Sequence, residues 1–251
     1  MSYDGRRIAG VIPSRIDSSR LPRKALADIH GLPMVVHVLK RAQLSPVLDD
    51  LIVATDSPEI RDVVEEHGGR AVMTSSSHTT GIERTAEAVR DLDCDVVVLI
   101  NGDEAALNPE HIEVSVRTLC ASDAPTSLLA SPFSERGSTS DFKVVVNRRG
   151  EAMYFSREDI PSPSRSGEAR FLKAYHIISF KKPFLAEYVA LERTPLESIE
   201  GHDHLRMLEH CVKVQVGVVE HASASVDTDE DLERVRAAMV DDPVFARYYA
   251  D

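Results

Sequence analysis

Short apolar runs alternate with amphipathic segments along the first half of the chain. The runs at 8–13, 51–54, 71–73 and 96–100 show no helical period and are bounded by turn residues, which predicts buried strands. Between them, apolar positions recur at helical spacing, and the alternation continues to about Leu119. Strands that alternate with helices over short connections are typical of βαβ units. We therefore predict an α/β fold with a doubly wound, mostly parallel sheet.

Capping residues mark the starts of three predicted helices. Ser57 precedes a proline and an amphipathic run, as an N-cap residue does. Thr80 with Glu83, and Thr228 with Asp231, have the spacing of a capping box, in which the two residues satisfy each other's backbone N–H groups. The sequence thus predicts helices that begin directly after Ser57, Thr80 and Thr228.

The pattern changes at about Pro125. Apolar and polar positions then alternate as in strands, and a proline- and serine-rich loop interrupts them. The predicted strands are 126–130, 142–146, 152–155, 171–180 and 212–219. We interpret the chain as one domain, 1–251, in which residues 125–200 form a smaller antiparallel insertion.

The composition excludes several classes of partner. The chain has 41 Asp plus Glu against 29 Lys plus Arg, a net charge of −12, which disfavours binding to nucleic acid or to an anionic membrane. Its three cysteines have neither the spacing of a metal site nor that of a disulfide framework. No apolar run approaches the roughly 20 residues that span a bilayer. We expect a globular, cytoplasmic protein.

Positive charge is concentrated in one loop of this acidic chain. Arg15, Arg20, Arg23 and Lys24 follow the first predicted strand. Because arginine pairs bidentately with phosphate oxygens and lysine supplies a movable point charge, a triphosphate is a natural ligand for the loop. The loop has neither the P-loop motif nor the dinucleotide-binding glycine motif. A solvated basic loop stays open as an alternative.

Carboxylates follow the most apolar strand and a later one. Asn101, Asp103 and Glu104 come directly after the strand at 96–100, where an open α/β sheet binds ligands, and Asp227 precedes a helix cap. Carboxylate oxygens in such a place suit Mg²⁺, which takes one or two carboxylates together with substrate phosphates. The alternatives are a surface turn at Asn101 and, for Asp227, a favourable charge at a helix N-terminus.

Together, these segments resemble the cytidylyltransferases that activate 3-deoxy-manno-octulosonate (KDO) and related acids as CMP derivatives. The segments that carry the resemblance are Ile12-Pro13-Ser14-Arg15, Ser19-Arg20-Leu21-Pro22-Arg23-Lys24, Gly81 to Arg84, Gly102-Asp103-Glu104, Phe155-Ser156-Arg157 and Val226-Asp227-Thr228. The resemblance implies a Rossmann-like nucleotidyltransferase fold and transfer of CMP from CTP with release of pyrophosphate. It also implies a homodimer formed through the insertion.

The resemblance further implies the site. The residues expected to bind CTP are Ser14, Arg15, Arg20, Lys24, Thr80, Gly81, Arg84 and Asn101. Of these, Arg15, Arg20 and Lys24, together with Asp103, would be catalytic because they neutralise charge on the triphosphate and the leaving group. Asp103 and Asp227 would hold Mg²⁺ as the cofactor.

The acceptor half departs from the family pattern. The family's sugar-contacting His and Tyr fall on Ala174 and Ile178, and its Glu-Gln pair falls on Asp203 and His204. The candidate acceptor-binding residues are Arg157, Lys173, His176, Asp203 and His204. The histidines can equally be surface or packing residues.

These departures lead us to expect a small anionic acceptor, preferably a phosphonate such as phosphonoformate in natural-product biosynthesis. The arginine- and alanine-rich composition, typical of a GC-rich genome, favours the same interpretation. KDO itself is the alternative acceptor. Alternatives of another class are a nucleotide-sugar glycosyltransferase and a non-catalytic nucleotide sensor, because both would bind a nucleotide at the same loop.

Overall fold

The computed structural model describes residues 3–18, 21–134, 137–165 and 170–249. The strands are β1 (Ile8–Ser14), β2 (Asp28–Ile29), β3 (Leu32–Pro33), β4 (Asp50–Thr55), β5 (Ala71–Met73), β6 (Val96–Ile100), β7 (Thr126–Phe133), β8 (Lys143–Val146), β9 (Ala152–Ser156), β10 (Phe171–Lys181) and β11 (Val214–Val218). The helices are α1 (Met34–Gln43), α2 (Pro58–Glu66), α3 (Gly81–Ala88), α4 (Pro109–Cys120), α5 (Lys182–Ala190), α6 (Pro195–Glu200), α7 (Asp203–Glu209) and α8 (Asp229–Met239). Short 3₁₀ helices span Lys24–Leu26 and Phe245–Arg247.

The chain divides into two compact units. The first unit comprises Met1–Glu113 and Ser223–Asp251, and the second comprises Val114–Ala222. No helix in the described ranges combines the length and the apolar character that a bilayer-spanning segment needs.

A parallel sheet forms the centre of the first unit. Its strand order is β6-β1-β4-β5, and every neighbouring pair is parallel. All five residues of β6 are buried, which explains why that strand is a continuous apolar run rather than an alternating one. The predicted α/β class with a mostly parallel sheet is confirmed. Because parallel strands all end at one edge, the segments after β1 and β6 meet there.

Local capping fixes where the helices around this sheet begin. The Thr80 hydroxyl accepts from the Glu83 N–H at 3.2 Å, while the Glu83 carboxylate accepts from the Thr80 N–H. Thr228 and Asp231 form the same box at the start of α8, and the Ser57 hydroxyl caps α2. All three predicted caps are confirmed, because each depends only on residues within one helical turn.

Polar groups tie the C-terminal segment to α1 within the first unit. Arg41 Nε donates to the Tyr248 hydroxyl at 3.1 Å, the hydroxyl donates to His37 Nδ1 at 2.9 Å, and His37 Nε2 donates to the Ile29 carbonyl at 2.7 Å. Burial lowers the pKa of His37 to about 4, so the imidazole is neutral at pH 7. No motif in the sequence marks this chain of hydrogen bonds.

The second unit contains the predicted antiparallel strands. β7 pairs with β10, β8 pairs with β10, and β8 pairs with β9, all antiparallel, whereas β11 is parallel to β7. The predicted antiparallel pairing in this part of the chain is therefore confirmed. Helices α5, α6 and α7 were not predicted, although Thr194 and Glu197 have the spacing of a capping box at the start of α6, where the Thr194 N–H donates to Glu197 Oε2 at 3.4 Å.

Candidate active site

A pocket in the first unit opens at the carboxyl ends of β1 and β6, beside the start of α3. The predicted residues that line it are Ser14, Arg15, Lys24, Thr80, Gly81, Arg84, Asn101, Asp103 and Asp227. Asp17, Ser18 and His78 line it as well. Arg20 lies outside the described residues. The pocket thus brings together the basic loop, the carboxylates after β6 and the carboxylate before α8, three segments that are far apart in the sequence.

Lys24 and two carboxylates form the electrostatic centre of the pocket. Lys24 Nζ donates to Asp103 Oδ2 at 2.8 Å and to Asp227 Oδ1 at 3.1 Å. Burial alone would lower the pKa of Lys24, but the two carboxylates, Asp103 foremost, outweigh burial and raise it above its usual value. The ammonium therefore stays charged. It neutralises part of the negative charge of the two carboxylates, which would otherwise repel each other.

The same two carboxylates fit a hard divalent cation. Asp103 Oδ1 is buried and has no hydrogen-bond partner among the described residues, so one oxygen of this carboxylate is available for coordination. Within the described ranges, no group of three or more His, Cys, Asp or Glu side chains could hold a metal ion. Asp103 and Asp227 would hold Mg²⁺, which in proteins that bind nucleotides usually takes one or two carboxylates together with substrate phosphates.

Close approach of β1 to the loop after β6 requires a glycine. A Cβ on Gly102 would lie 2.8 Å from Ser14 Oγ and 2.9 Å from the Pro13 carbonyl oxygen. Since backbone oxygen cannot swing aside as a flexible side chain can, any larger residue would push the loop away from β1. Gly102 thereby holds Asp103 beside the segment that leads into the basic loop.

Arg84 is held on the pocket wall by two partners. Arg84 is only 4% exposed. Its guanidinium donates to Thr74 Oγ1 at 2.7 Å and to Asp56 Oδ2 at 3.0 Å. The sequence analysis did not include Asp56. Its position directly after β4, at the same sheet edge as Asp103, is the feature that could have revealed it.

Glu87 on α3 organises the loop that precedes the helix. Its carboxylate accepts from the Ser75 N–H at 3.0 Å and contacts His78 Nε2. The hydrogen bond from Ser75, followed by that from His78, lowers the pKa of Glu87. Glu87 was also missed, because nothing in its helical surroundings distinguishes it from an exposed acidic residue.

The acceptor candidates lie in the second unit, where several of them have partners within that unit. Arg157 Nη1 donates to the Thr139 carbonyl at 2.7 Å, and its guanidinium carbon lies 4.1 Å from the centre of the Phe142 ring. Lys173 Nζ lies 2.5 Å from Asp141 Oδ1. Both cations are predicted to bind an anionic acceptor, and in the structure groups of the same unit contact each of them.

The other acceptor candidates differ in their surroundings. His204 is buried, with its ring centre 5.4 Å from that of Phe155 and 5.0 Å from that of His202. Asp203 is the first residue of α7. His176 lies in β10, and its side chain is outside the described part of the structure. His204 therefore packs among aromatic rings, as the alternative of a packing histidine supposed.

Known proteins match the chain along most of its length. The cytidylyltransferase family model matches residues 9–231. The chain is 41% identical over 243 residues to the 3-deoxy-manno-octulosonate cytidylyltransferase of Neisseria meningitidis, a match that covers 90% of this chain and 96% of that relative. It is 36% identical over 232 residues to the enzyme of the same name from Escherichia coli, covering 91% of this chain and 94% of that relative.

A solved structure agrees with these relatives. CMP:2-keto-3-deoxy-manno-octonic acid synthetase, complexed with CTP, superposes with a TM-score of 0.90 at 34% identity, and the match covers 93% of this chain and 98% of the other. The resemblance inferred from the motifs is confirmed. The chain therefore belongs to the cytidylyltransferase family and is a CTP-dependent nucleotidyltransferase.

Proposed function

We propose that the enzyme transfers CMP from CTP to 3-deoxy-manno-octulosonate, or to a closely related 2-keto sugar acid, and releases pyrophosphate. The observation that carries CMP transfer is the pocket in which Lys24 bridges Asp103 and Asp227 next to the basic loop. The acceptor is supported by the relatives, which bear this activity in their names at up to 41% identity over nine-tenths of the chain.

The expected preference for a phosphonate finds no support among these relatives. It also depended on free positive charge at Arg157 and Lys173. In the structure a backbone carbonyl and an aromatic ring contact Arg157, and Asp141 contacts Lys173, so part of the positive charge expected for a dianion is already offset within the unit. The glycosyltransferase and the nucleotide sensor are set aside because the chain is a cytidylyltransferase.

Positioning and charge neutralisation account for the reaction. The acceptor oxygen attacks the α-phosphorus of CTP in line, the α–β phosphoanhydride bond breaks, and pyrophosphate leaves with the electron pair. Arg15 and Lys24 offset charge on the triphosphate, which lowers the repulsion met by an anionic acceptor. Arg84, held by Asp56 and Thr74, forms a fixed wall for the nucleotide. Mg²⁺ held by Asp103 and Asp227 would neutralise charge at the α-phosphate when bound.

A screen of acceptors tests the proposal. The enzyme is incubated with CTP, Mg²⁺ and, in separate reactions, KDO, other 2-keto sugar acids, phosphonoformate and an aminoalkylphosphonate, and both pyrophosphate and the mass of the product are measured. We expect a CMP adduct of KDO or of another 2-keto sugar acid. Adducts formed only with phosphonates would overturn the acceptor but keep CMP transfer. Absence of pyrophosphate with every acceptor would overturn the transfer itself.

We also propose that the enzyme is a homodimer through its second unit. Met153 and Ile199, which are 62% and 77% exposed in that unit, are apolar side chains that a second copy would cover. Light scattering should give twice the 27.7 kDa mass of one chain. The mass of a single chain over a wide range of concentrations would contradict this.

A further inference from the structure

Two hydrogen bonds join the loop after β6 to the segment before α8. The Ser225 hydroxyl donates to Glu104 Oε1 at 2.7 Å, and the Val226 N–H donates to the Asp103 carbonyl at 3.1 Å. Ser225 and Glu104 are 121 positions apart in the sequence. Both contacts lie next to the pocket carboxylates, since Glu104 follows Asp103 and Val226 precedes Asp227. The distance between these two carboxylates is therefore tied to this junction.

Glu104 is the unusual member of the junction. It is 1% exposed, and it is not among the residues that line the pocket in the described part of the chain. A buried carboxylate is costly to keep unless hydrogen bonds compensate the lost hydration. Ala105, which follows Glu104, and Val226, which follows Ser225, are fully buried in one apolar cluster with Leu232. The junction therefore packs against side chains rather than against solvent.

The junction matters because the two carboxylates repel each other. In the structure the Lys24 ammonium offsets that repulsion through contacts with both. A divalent cation that replaces the ammonium binds tightly only if the two carboxylates keep their spacing after the ammonium has moved away. Groups that hold metal ligands in position without touching the metal typically change metal affinity or activity by about 10- to 100-fold when they are removed.

We propose that Glu104 and Ser225 are positioning residues that hold Asp103 and Asp227 at the spacing a divalent cation requires. The proposal rests on the proposed function, in that the cation is the one that accompanies CTP. Glu104 is thereby assigned to the support of the metal site and not to coordination, although it stands beside Asp103 in the sequence.

Substitution of Ser225 tests the proposal against a matched control in the same segment. Ser225→Ala removes the hydroxyl that Glu104 accepts from, and Ser225→Thr restores a hydroxyl. Ser223→Ala is the control, because its hydroxyl donates at 3.2 Å to the carbonyl of Ala106. Mn²⁺ binding to each full-length variant in the presence of CTP, without acceptor, is measured by electron paramagnetic resonance. The Mg²⁺ dependence of pyrophosphate release is measured alongside.

We expect Ser225→Ala to weaken Mn²⁺ binding about tenfold, with kcat recovering when Mg²⁺ is raised to saturation, while Ser225→Thr and Ser223→Ala stay within about twofold of the wild type. Glu104→Gln, which keeps the size and one acceptor oxygen, should weaken Mn²⁺ binding about threefold and serves if Ser225→Ala does not fold. Equal Mn²⁺ affinity in Ser225→Ala and Ser223→Ala would overturn the proposal. Because the binding measurement contains no acceptor, its outcome is independent of which acid the enzyme activates.

Discussion

Lys24 in the first unit and Lys143 in the second are both withdrawn from water, but their partners differ in kind. Lys24 contacts the carboxylates Asp103 and Asp227, which line a pocket. Lys143 is fully buried, and its ammonium donates to the carbonyls of Ser138, Asp141 and Arg157, while its one carboxylate neighbour among the described residues, Asp159 Oδ1, lies farther away at 3.7 Å. Carboxylates can exchange one cation for another when a ligand enters, whereas backbone carbonyls fixed in a loop cannot leave without unfolding it.

Two buried arginines both pair with a carboxylate and differ in whether they line the pocket. Arg84 is anchored by Asp56 and Thr74 and still lines the pocket. Arg206 is 2% exposed, donates from two nitrogens to Glu197 and lies over the Tyr188 ring. A charge is therefore informative about function through its partners and its place, and not through its presence alone. This is why the count of cations in the acceptor half pointed to a phosphonate, for which the relatives give no support.

Substitutions of the two pocket carboxylates test this contrast most directly. Asp103→Asn and Asp227→Asn should each lower kcat for pyrophosphate release by about 10³-fold, because each removes charge that neutralises the reacting phosphates. Their melting temperatures should stay close to that of the wild type, since neither carboxylate packs in the core. Activity within threefold of the wild type in either variant would show that the carboxylate is not part of the site.

Substituting each of the two lysines in turn sharpens the contrast between them. Lys24→Ala should weaken CTP binding about 100-fold with little loss of stability, because it removes a charged contact to the ligand. Lys143→Met should destabilise the protein by about 3 kcal/mol, because buried carbonyls lose their donor. Calorimetric CTP titrations and urea unfolding of both variants separate the two effects. If Lys143→Met instead weakened CTP binding at unchanged stability, the distinction would fail.

A pH titration tests the buried imidazole of His37, which lies in the first unit away from the pocket. Since His37 has a pKa of about 4 when folded and about 6.5 when unfolded, the unfolded chain binds more protons between these values. Stability should therefore be complete above pH 6.5 and fall as the pH drops towards 4, by about 2 kcal/mol at pH 5. Urea unfolding at pH 7 and pH 5 measures this, and His37→Asn should remove that part of the slope. An unchanged slope in the variant would contradict the assignment.

The smallest expected effects come from two equivalent helix caps. Thr80→Ala and Thr228→Ala should each cost about 1 kcal/mol of stability, because each removes one capping hydrogen bond. Thr80 lines the pocket, so its substitution should in addition weaken CTP binding, whereas Thr228→Ala should not. Thermal unfolding and CTP titration of the pair, with Thr80→Ser as the conservative variant, give the comparison. Equal CTP affinity in the two alanine variants would show that Thr80 caps the helix and does not bind CTP.

The amino-acid sequence by itself determined the features that depend on neighbours along the chain. The caps at Ser57, Thr80 and Thr228 involve residues within one helical turn, and the alternation of buried strands with amphipathic helices requires a parallel sheet. Because parallel strands end at one edge, the order of the motifs was also enough to place the basic loop beside Asp103.

Only the tertiary structure decided which distant groups meet. The contact of Arg84 with Asp56 crosses 28 positions, that of Glu104 with Ser225 crosses 121, and that of His37 with Tyr248 crosses 211. No local pattern marks such partners, because many pairs could be formed by a flexible chain and the packing of the whole unit selects among them. The same reason applies to Arg157 and Lys173, whose charge was visible in the sequence and whose partners were not.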